Sequence, residues 1–350
     1  MRIPTPLYAL GAAAAMTFLA GCSGGTSSVA PVGGASNLSH ARVLNVAHVP
    51  SLGAPSFQNL VHPSQPGSMR SFMSPDARGI TPTLYVSQFY TNDIQVYKQG
   101  GTNQSPIGTI TNGVINPQGM FVTPNNWIYV ANTGGNNVLV FDKGGTTAIQ
   151  TLNDPNQYPV DVAVDTDGTV YASNIFATDG SPGSVTVWAP GNTNPTGSLT
   201  VPNNAKVLFC ALDKFHNLYV NYIDINSGVG AMVKFKHGQG SAQLTNVVTN
   251  FPGGMEFDQL GRLAAADQIA ANVSAYRLPS GTPVFTVAST GDSLGVSFSK
   301  TRSYLFVGDA VNGNVYQYVW KNGSLVDTIS AGLGSSSPPF GVAADPGAPL

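Results

Sequence analysis

The sequence predicts an all-β protein: a six-bladed β-propeller of four-stranded blades, its ring closed by a C-terminal inner strand that joins the N-terminal blade. Three observations carry this expectation. A triplet of strand formers recurs at Leu84-Tyr85-Val86, Ile128-Tyr129-Val130, Val170-Tyr171-Ala172, Leu218-Tyr219-Val220, Leu263-Ala264-Ala265 and Leu305-Phe306-Val307, at spacings of 44, 42, 48, 45 and 42 residues. About ten residues after each triplet an alternating strand ends in an aromatic: Tyr97, Phe141, Trp188, Phe235, Tyr276 and Tyr318. The composition agrees, with 40 Gly and 25 Pro for turns and a single Glu, Glu256, among 17 acidic residues. Glu favours helix interiors, so its scarcity fits a β-rich chain.

Each unit reads as four strands in series. The first is entered through Pro or Gly, as at Pro117-Gln118-Gly119-Met120, Pro159-Val160-Asp161-Val162, Pro252-Gly253-Gly254-Met255 and Leu294-Gly295-Val296. The aromatic triplet is the second strand and the alternating strand the third. Gly-containing turns at Gly100-Gly101, Gly144-Gly145, Gly191, Gly238, Gly281 and Gly323 lead to a short fourth. A twisted sheet that is apolar on both faces cannot bury both alone, so the units must stack around an axis. The first unit opens directly at Leu84 without an innermost strand, and the chain carries an orphan one at Pro339-Phe340-Gly341-Val342. The two complete each other and remove the free edge.

Ahead of the repeat, Arg2 precedes an apolar stretch at 7–18 that is too short to span a bilayer and reads as a signal peptide. Leu19-Ala20-Gly21-Cys22 resembles the lipobox of bacterial lipoproteins, which implies that Cys22 is lipidated and becomes the first mature residue. Ser23 follows where an Asp would favour the inner membrane, so the resemblance implies the outer membrane. The expected division is a signal peptide at 1–21, a flexible tether rich in Gly, Ser, Pro and Ala at 22–82, with a short structured patch near 41–49, and the propeller at 83–350. Cys210 is then the one cysteine of the body and is expected to be a buried thiol.

Pro117-Gln118-Gly119 with Tyr129-Val130-Ala131-Asn132, and Val162-Ala163-Val164-Asp165-Thr166-Asp167-Gly168 with Tyr171, resemble the NHL repeat over about 84–345. That resemblance implies a propeller and leaves the activity open, since hydrolases, lyases and interaction modules share the scaffold. The related gluconolactonases hold a divalent cation with an Asn and an Asp between Pro and Gly of inner strands and a Glu near the start of the domain. Here those inner positions are Gln118, Val160, Leu208, Gly253, Leu294 and Phe340, and no Glu lies in the first unit. The cation set is not assembled, and neither a metal nor another cofactor is expected. Streptogramin lyases use His and Glu near the axis, whereas His216 and His237 fall in a turn and beside a Gly-rich loop.

Two acids fall on inner strands, Asp161 and Glu256, and could act as acid and base at the axial channel. Glu256 occupies the position held by Phe121, Ala163, Ala211, Ser297 and Ala343 in other units. Tyr90, Trp127, Tyr158, Phe176 and Tyr222 sit in or beside loops, where aromatics could stack on a sugar or a peptide. Gln88, Asn132, Asn174, Tyr222, Asp267 and Asp309 follow the triplets and are read as turn-bonding groups, and Asp165-Thr166-Asp167-Gly168 as a hairpin turn. A net charge of −2 without a basic cluster excludes a nucleic-acid partner. The sequence thus leads to a monomeric cell-envelope propeller, membrane-bound through Cys22, that binds a protein or a glycan. The alternative is a lactonase-like hydrolase or lyase using the axial acids.

Overall fold

A computed structural model of the chain describes residues 70–289 and 291–345, and these form six antiparallel sheets. Blade 1 contains β1 (Phe72–Met73), β2 (Thr83–Gln88), β3 (Asp93–Lys98) and β4 (Gly108–Ile110). Blade 2 follows with β5 (Pro117–Val122), β6 (Trp127–Asn132), β7 (Asn137–Asp142) and β8 (Gln150–Asn153), and blade 3 with β9 (Gln157–Val164), β10 (Val170–Ala177), β11 (Pro182–Trp188) and β12 (Gly197–Thr200). Blade 4 has β13 (Ala205–Leu212), β14 (Leu218–Asp224), β15 (Gly230–Phe235) and β16 (Gln243–Thr249); blade 5 has β17 (Pro252–Phe257), β18 (Leu263–Asp267), β19 (Asn272–Tyr276) and β20 (Pro283–Ala288). Blade 6 has β21 (Ser293–Phe298), β22 (Tyr304–Asp309), β23 (Asn314–Val319) and β24 (Ser324–Ile329), and β25 (Pro339–Ala344) returns to blade 1.

The return is the closure expected from the orphan strand. β25 pairs antiparallel with β2, in register Leu84↔Ala344, Tyr85↔Ala343, Val86↔Val342 and Ser87↔Gly341. Leu84, Val86 and Tyr97 of blade 1 then pack on Phe306, Val315 and Ile329 of blade 6, together with Val342. The aromatic that ends each third strand explains why the units stack. Tyr97, Phe141, Trp188, Phe235, Tyr276 and Tyr318 are all buried. Trp188 shows the geometry: it belongs to a cluster with Val138, Val140 and Leu152 of blade 2 and Val162 and Val170 of its own blade, filling the wedge between the two. Burying one such side chain contributes about 1.5–3 kcal/mol, and the ring repeats the contribution at every interface.

The structured region begins before the expected boundary at residue 83. β1 adds a fifth strand to blade 1 by pairing with β4, and α1 (Pro75–Arg78) buries Ala77 against Ile94 and Ile110. Pro75 opens α1 and the Ser74 side chain accepts from Ala77 N, which is why one helical turn forms there. A two-residue strand has no alternation to read, so the sequence pattern passed over it. The expected signal peptide, Cys22 and the patch at 41–49 lie outside the described residues.

Asp345, just past β25, fastens the closure. Its carboxylate accepts from Thr83 N at 2.9 Å and Thr83 Oγ1 at 2.8 Å, and pairs with Lys143, which follows β7 of blade 2. Asp345→Ala leaves these buried donors unmatched, at an expected cost of about 2–3 kcal/mol and a fall in Tm of about 5–10 °C. Deleting Pro338 onward is expected to abolish the cooperative melt altogether. A truncated chain that melts with the full domain in scanning calorimetry would show that closure does not support the ring.

Candidate functional site

The site is built from the inner strands β5, β9, β13, β17, β21 and β25. Their ladders to the second strands are interrupted at the Pro-x-Gly segment, between Pro117 and Met120, Pro252 and Met255, and Ser293 and Val296. There the inner strands lean on one another instead. A methyl group on Gly295 would sit 2.8 Å from Val342 N, and one on Gly254 2.9 Å from Val296 N. Glycine at this level is therefore a packing requirement. Four blades supply it (Gly119, Gly254, Gly295, Gly341), while blades 3 and 4 carry Asp161 and Phe209 at the corresponding position. These two side chains occupy the centre of the ring.

On one side of that level lie buried apolar side chains. Val160, Leu208, Leu294 and Phe340 join Phe89, Phe176 and Phe209 in a single buried apolar cluster, with the rings of Phe89 and Phe340 stacked at 4.8 Å. Four of the six positions between Pro and Gly of the inner strands thus hold apolar side chains of this cluster, while Gln118 donates to Thr133 Oγ1. On the other side a cavity of about 630 Å³ opens between the turns that join first and second strands. Its walls are mostly apolar, including Met120, Phe121, Tyr129, Ala211, Met255 and Val296, and it reaches down to Asp161. This funnel opens on the face that those turns form.

Both inner-strand acids line this funnel. Asp161 Oδ2 accepts from Cys210 N of blade 4 at 3.0 Å, and Glu256 Oε2 accepts from Phe298 N of blade 6 at 2.9 Å. Each carboxylate therefore also ties its blade to the next. Burial pushes the Asp161 carboxyl up to about 7, against the pull of the Cys210 N–H bond. Burial also raises Glu256, opposed by Arg302, whose Nη1 lies 3.5 Å from Glu256 Oε1 and donates to Phe257 O at 2.6 Å. Near neutral pH Asp161 can thus donate or accept a hydrogen bond, and Glu256 is paired with a guanidinium. At the mouth His216 Nδ1 lies 2.6 Å from Asp165 Oδ1, and that acid raises the imidazole's pKa. Among the described residues no group of three or more His, Cys, Asp or Glu side chains could hold a metal ion.

The five candidate aromatics separate by burial. Trp127 stands at the funnel mouth and is 43% exposed. Tyr90, 51% exposed, lies at the opposite end, edge-on to Phe89 and Phe340. Tyr158, Phe176 and Tyr222 are buried, which corrects the expectation that they could stack on a ligand. Tyr158 and Phe176 pack edge to face within the same apolar cluster as Val160 and Leu208, and Tyr222 lies in the core of blades 3 and 4. Of the groups after the triplets, Asp267 and Asp309 bond their own turns, accepting from Ala270 N and Val311 N, whereas Gln88 donates to Gly332 O and Ser337 O, Asn174 to Thr186 Oγ1, and Asn132 accepts from Ile115 N. Residues 165–168 form the expected hairpin turn, and Cys210 is a free, buried thiol. The sequence reading overlooked Arg302 and Lys214, both on turns at the mouth. Arg302 adopts φ 54°, a backbone state that no residue pattern announces.

No family model and no curated protein matches this chain. Among solved structures it is similar to a chain in the crystal structure of a nidogen/laminin complex, with a TM-score of 0.59 at 13% identity, over 75% of this chain and 98% of that one. It is similar also to a streptogramin B lyase structure, with a TM-score of 0.47 at 9% identity, over 71% and 74%. The first likeness shows the propeller fold, in agreement with the six blades above.

One further acid lies away from the funnel. Asp292, just before β21, is 1% exposed, and neither of its carboxylate oxygens has a hydrogen-bond partner. Burial, then Asp309 and Asp267, push it up to about 8. A carboxyl raised in the folded state favours folding while protonated, and this contribution is lost as pH rises from the unfolded value of about 3.9 through the folded one. Asp154 and Asp161, both raised to about 7, act in the same direction. The Tm is expected to fall between pH 4.5 and pH 8.5. Asp292→Asn should raise Tm by a few degrees at pH 8.5 and hardly change it at pH 4.5. Parallel pH profiles for the two proteins would show that Asp292 does not carry the effect.

Proposed function

We propose that this chain is a lipid-anchored cell-envelope protein whose propeller is a glycan-binding module, with the ligand held in the axial funnel. The observation that carries the reading is the funnel itself: a cavity of about 630 Å³ with an exposed Trp at its mouth and polar groups along its walls. Its volume falls in the range of small-ligand sites. The indole face of Trp127 suits the apolar face of a sugar ring, and Asp161, Glu256 and Arg302 suit its hydroxyl groups. A protein partner on a flat interface of about 800 Å² per side would leave so deep a cavity unfilled. The anchor rests on the apolar stretch at 7–18 and on Leu19-Ala20-Gly21-Cys22, and the outer membrane on Ser23. No helix among the described residues is long and apolar enough to cross a membrane.

A second reading, turnover of the bound glycan by a hydrolase or lyase mechanism, is favoured by one observation. Two carboxylates in different electrostatic surroundings share the cavity, Asp161 titrating near neutrality and Glu256 beside a guanidinium. Such a pair supplies a proton donor and a base to one ligand.

In titration calorimetry against an oligosaccharide panel that includes peptidoglycan fragments, Trp127→Ala is expected to weaken binding about tenfold, or about 1.4 kcal/mol. Undiminished affinity in that variant would exclude the funnel mouth as the binding site. Product released by the wild type but not by Asp161→Asn, with binding retained, would establish the second reading. In bacteria fed a labelled fatty acid, the full chain should carry label in the membrane fraction, whereas Cys22→Ser should be unlabelled. A labelled Cys22→Ser chain would refute the anchor.

A further inference from the structure

We infer that the funnel's ligand is an anionic oligosaccharide, whose charged groups lie in a basic groove between blades 4 and 5. The inference rests on the glycan reading and adds the charge of the ligand. The groove, of about 700 Å³, lies on the face where the funnel opens, and the two share Asp213, Lys214, Phe257 and Arg302 as walls. A chain that leaves the funnel on this side enters the groove directly.

The charge there runs against that of the whole protein. The net charge is −2 and only 15 residues are Lys or Arg, yet Lys214, Lys234, Lys300 and Arg302 surround this one space. Among the described residues none of the three lysines forms a salt bridge. Lys214 Nζ stands 5.3 Å from the centre of the Phe215 ring, and Lys234 Nζ 5.7 Å from that of Tyr219. These contacts steady the ammonium groups without neutralising them.

The two acids of the groove are already engaged. Asp213 accepts from Phe215 N, Asn217 N and Asn217 Nδ2, while Asp258 pairs with Arg262 and accepts from Trp320 Nε1. Asp213 keeps its charge, but three unpaired lysines outweigh it and leave the groove positive on balance. Phe215 and Leu260, 61% and 73% exposed, flank it with apolar surface. Several cations around one space with apolar flanks match carboxylate or sulfate groups repeated along a chain of sugar rings, the ring faces resting on Phe215 and Leu260.

The test uses the detergent-solubilised full chain and four probes of similar length: a galacturonate oligomer, its neutral methyl ester, a sulfated oligosaccharide and a poly-glutamate peptide. The galacturonate oligomer is expected to bind at least about tenfold more tightly than its methyl ester at about 50 mM salt, and to lose that advantage at about 500 mM. The triple variant Lys214→Gln, Lys234→Gln, Lys300→Gln alters two exposed side chains and the half-buried Lys234, none of them in a salt bridge, and is expected to keep the Tm. It should bind acid and ester alike, whereas Trp127→Ala should weaken both. Tighter binding of the sulfated probe than of the galacturonate would assign the anion as sulfate within the same proposal. Equal binding of acid and ester by the wild type, unchanged in the triple variant, would overturn the anionic inference and leave the glycan reading standing. Binding of poly-glutamate alone, or of no probe, would overturn both.

Discussion

Pairing of β25 with β2 joins residues separated by more than 250 positions, and the closure of the ring between blades 6 and 1 depends on this ladder. Each blade presents an apolar face to both neighbours, so an open ring exposes two such faces and two strand edges at once. Asp345 adds a polar clamp that reaches from the closing strand to Thr83 of its own blade and Lys143 of the next. The hydrophobic wedge between blades 6 and 1 and this clamp thus depend on the same few residues.

The inner strands impose the second constraint. They crowd one another at a level where four blades use Gly, and the symmetry of the repeat is broken there only by Asp161 and Phe209. Phe209 belongs to the apolar cluster with Val160 and Leu208, and Asp161 forms the floor of the funnel. A carboxylate placed where the fold prefers no side chain has lost most of its water, hence its raised pKa and its bond to the neighbouring strand. Departures of this kind from a repeat mark where a scaffold has been turned to a use.

Most of the architecture was legible because a propeller writes its period into the chain. The triplets around Tyr85, Tyr129 and Tyr171 and the wedge aromatics such as Trp188 are each required by a local strand and an interface. Glu256 could be placed on the axis because its counterparts in other blades were already aligned. What escaped was set by contacts between distant segments. Tyr158 and Phe176 look like loop aromatics until Val160, Leu208 and Phe340 join them in one apolar cluster. Lys300 and Lys234 lie more than 60 residues apart, so the groove they share leaves no cluster in the sequence. β1 is too short to show a pattern.

That short strand also sets how the domain meets mechanical load. Across blade 1 the order is β1, β4, β3, β2, β25, which places β1 at the rim and the closing ladder at the axis. A pull applied ahead of Phe72 falls first on two paired positions, Phe72↔Thr109 and Met73↔Gly108. Those peel one after the other, whereas the longer ladders behind them would have to yield before the ring is strained. β1 can thus detach from β4 while the ladders that hold the six blades stay paired.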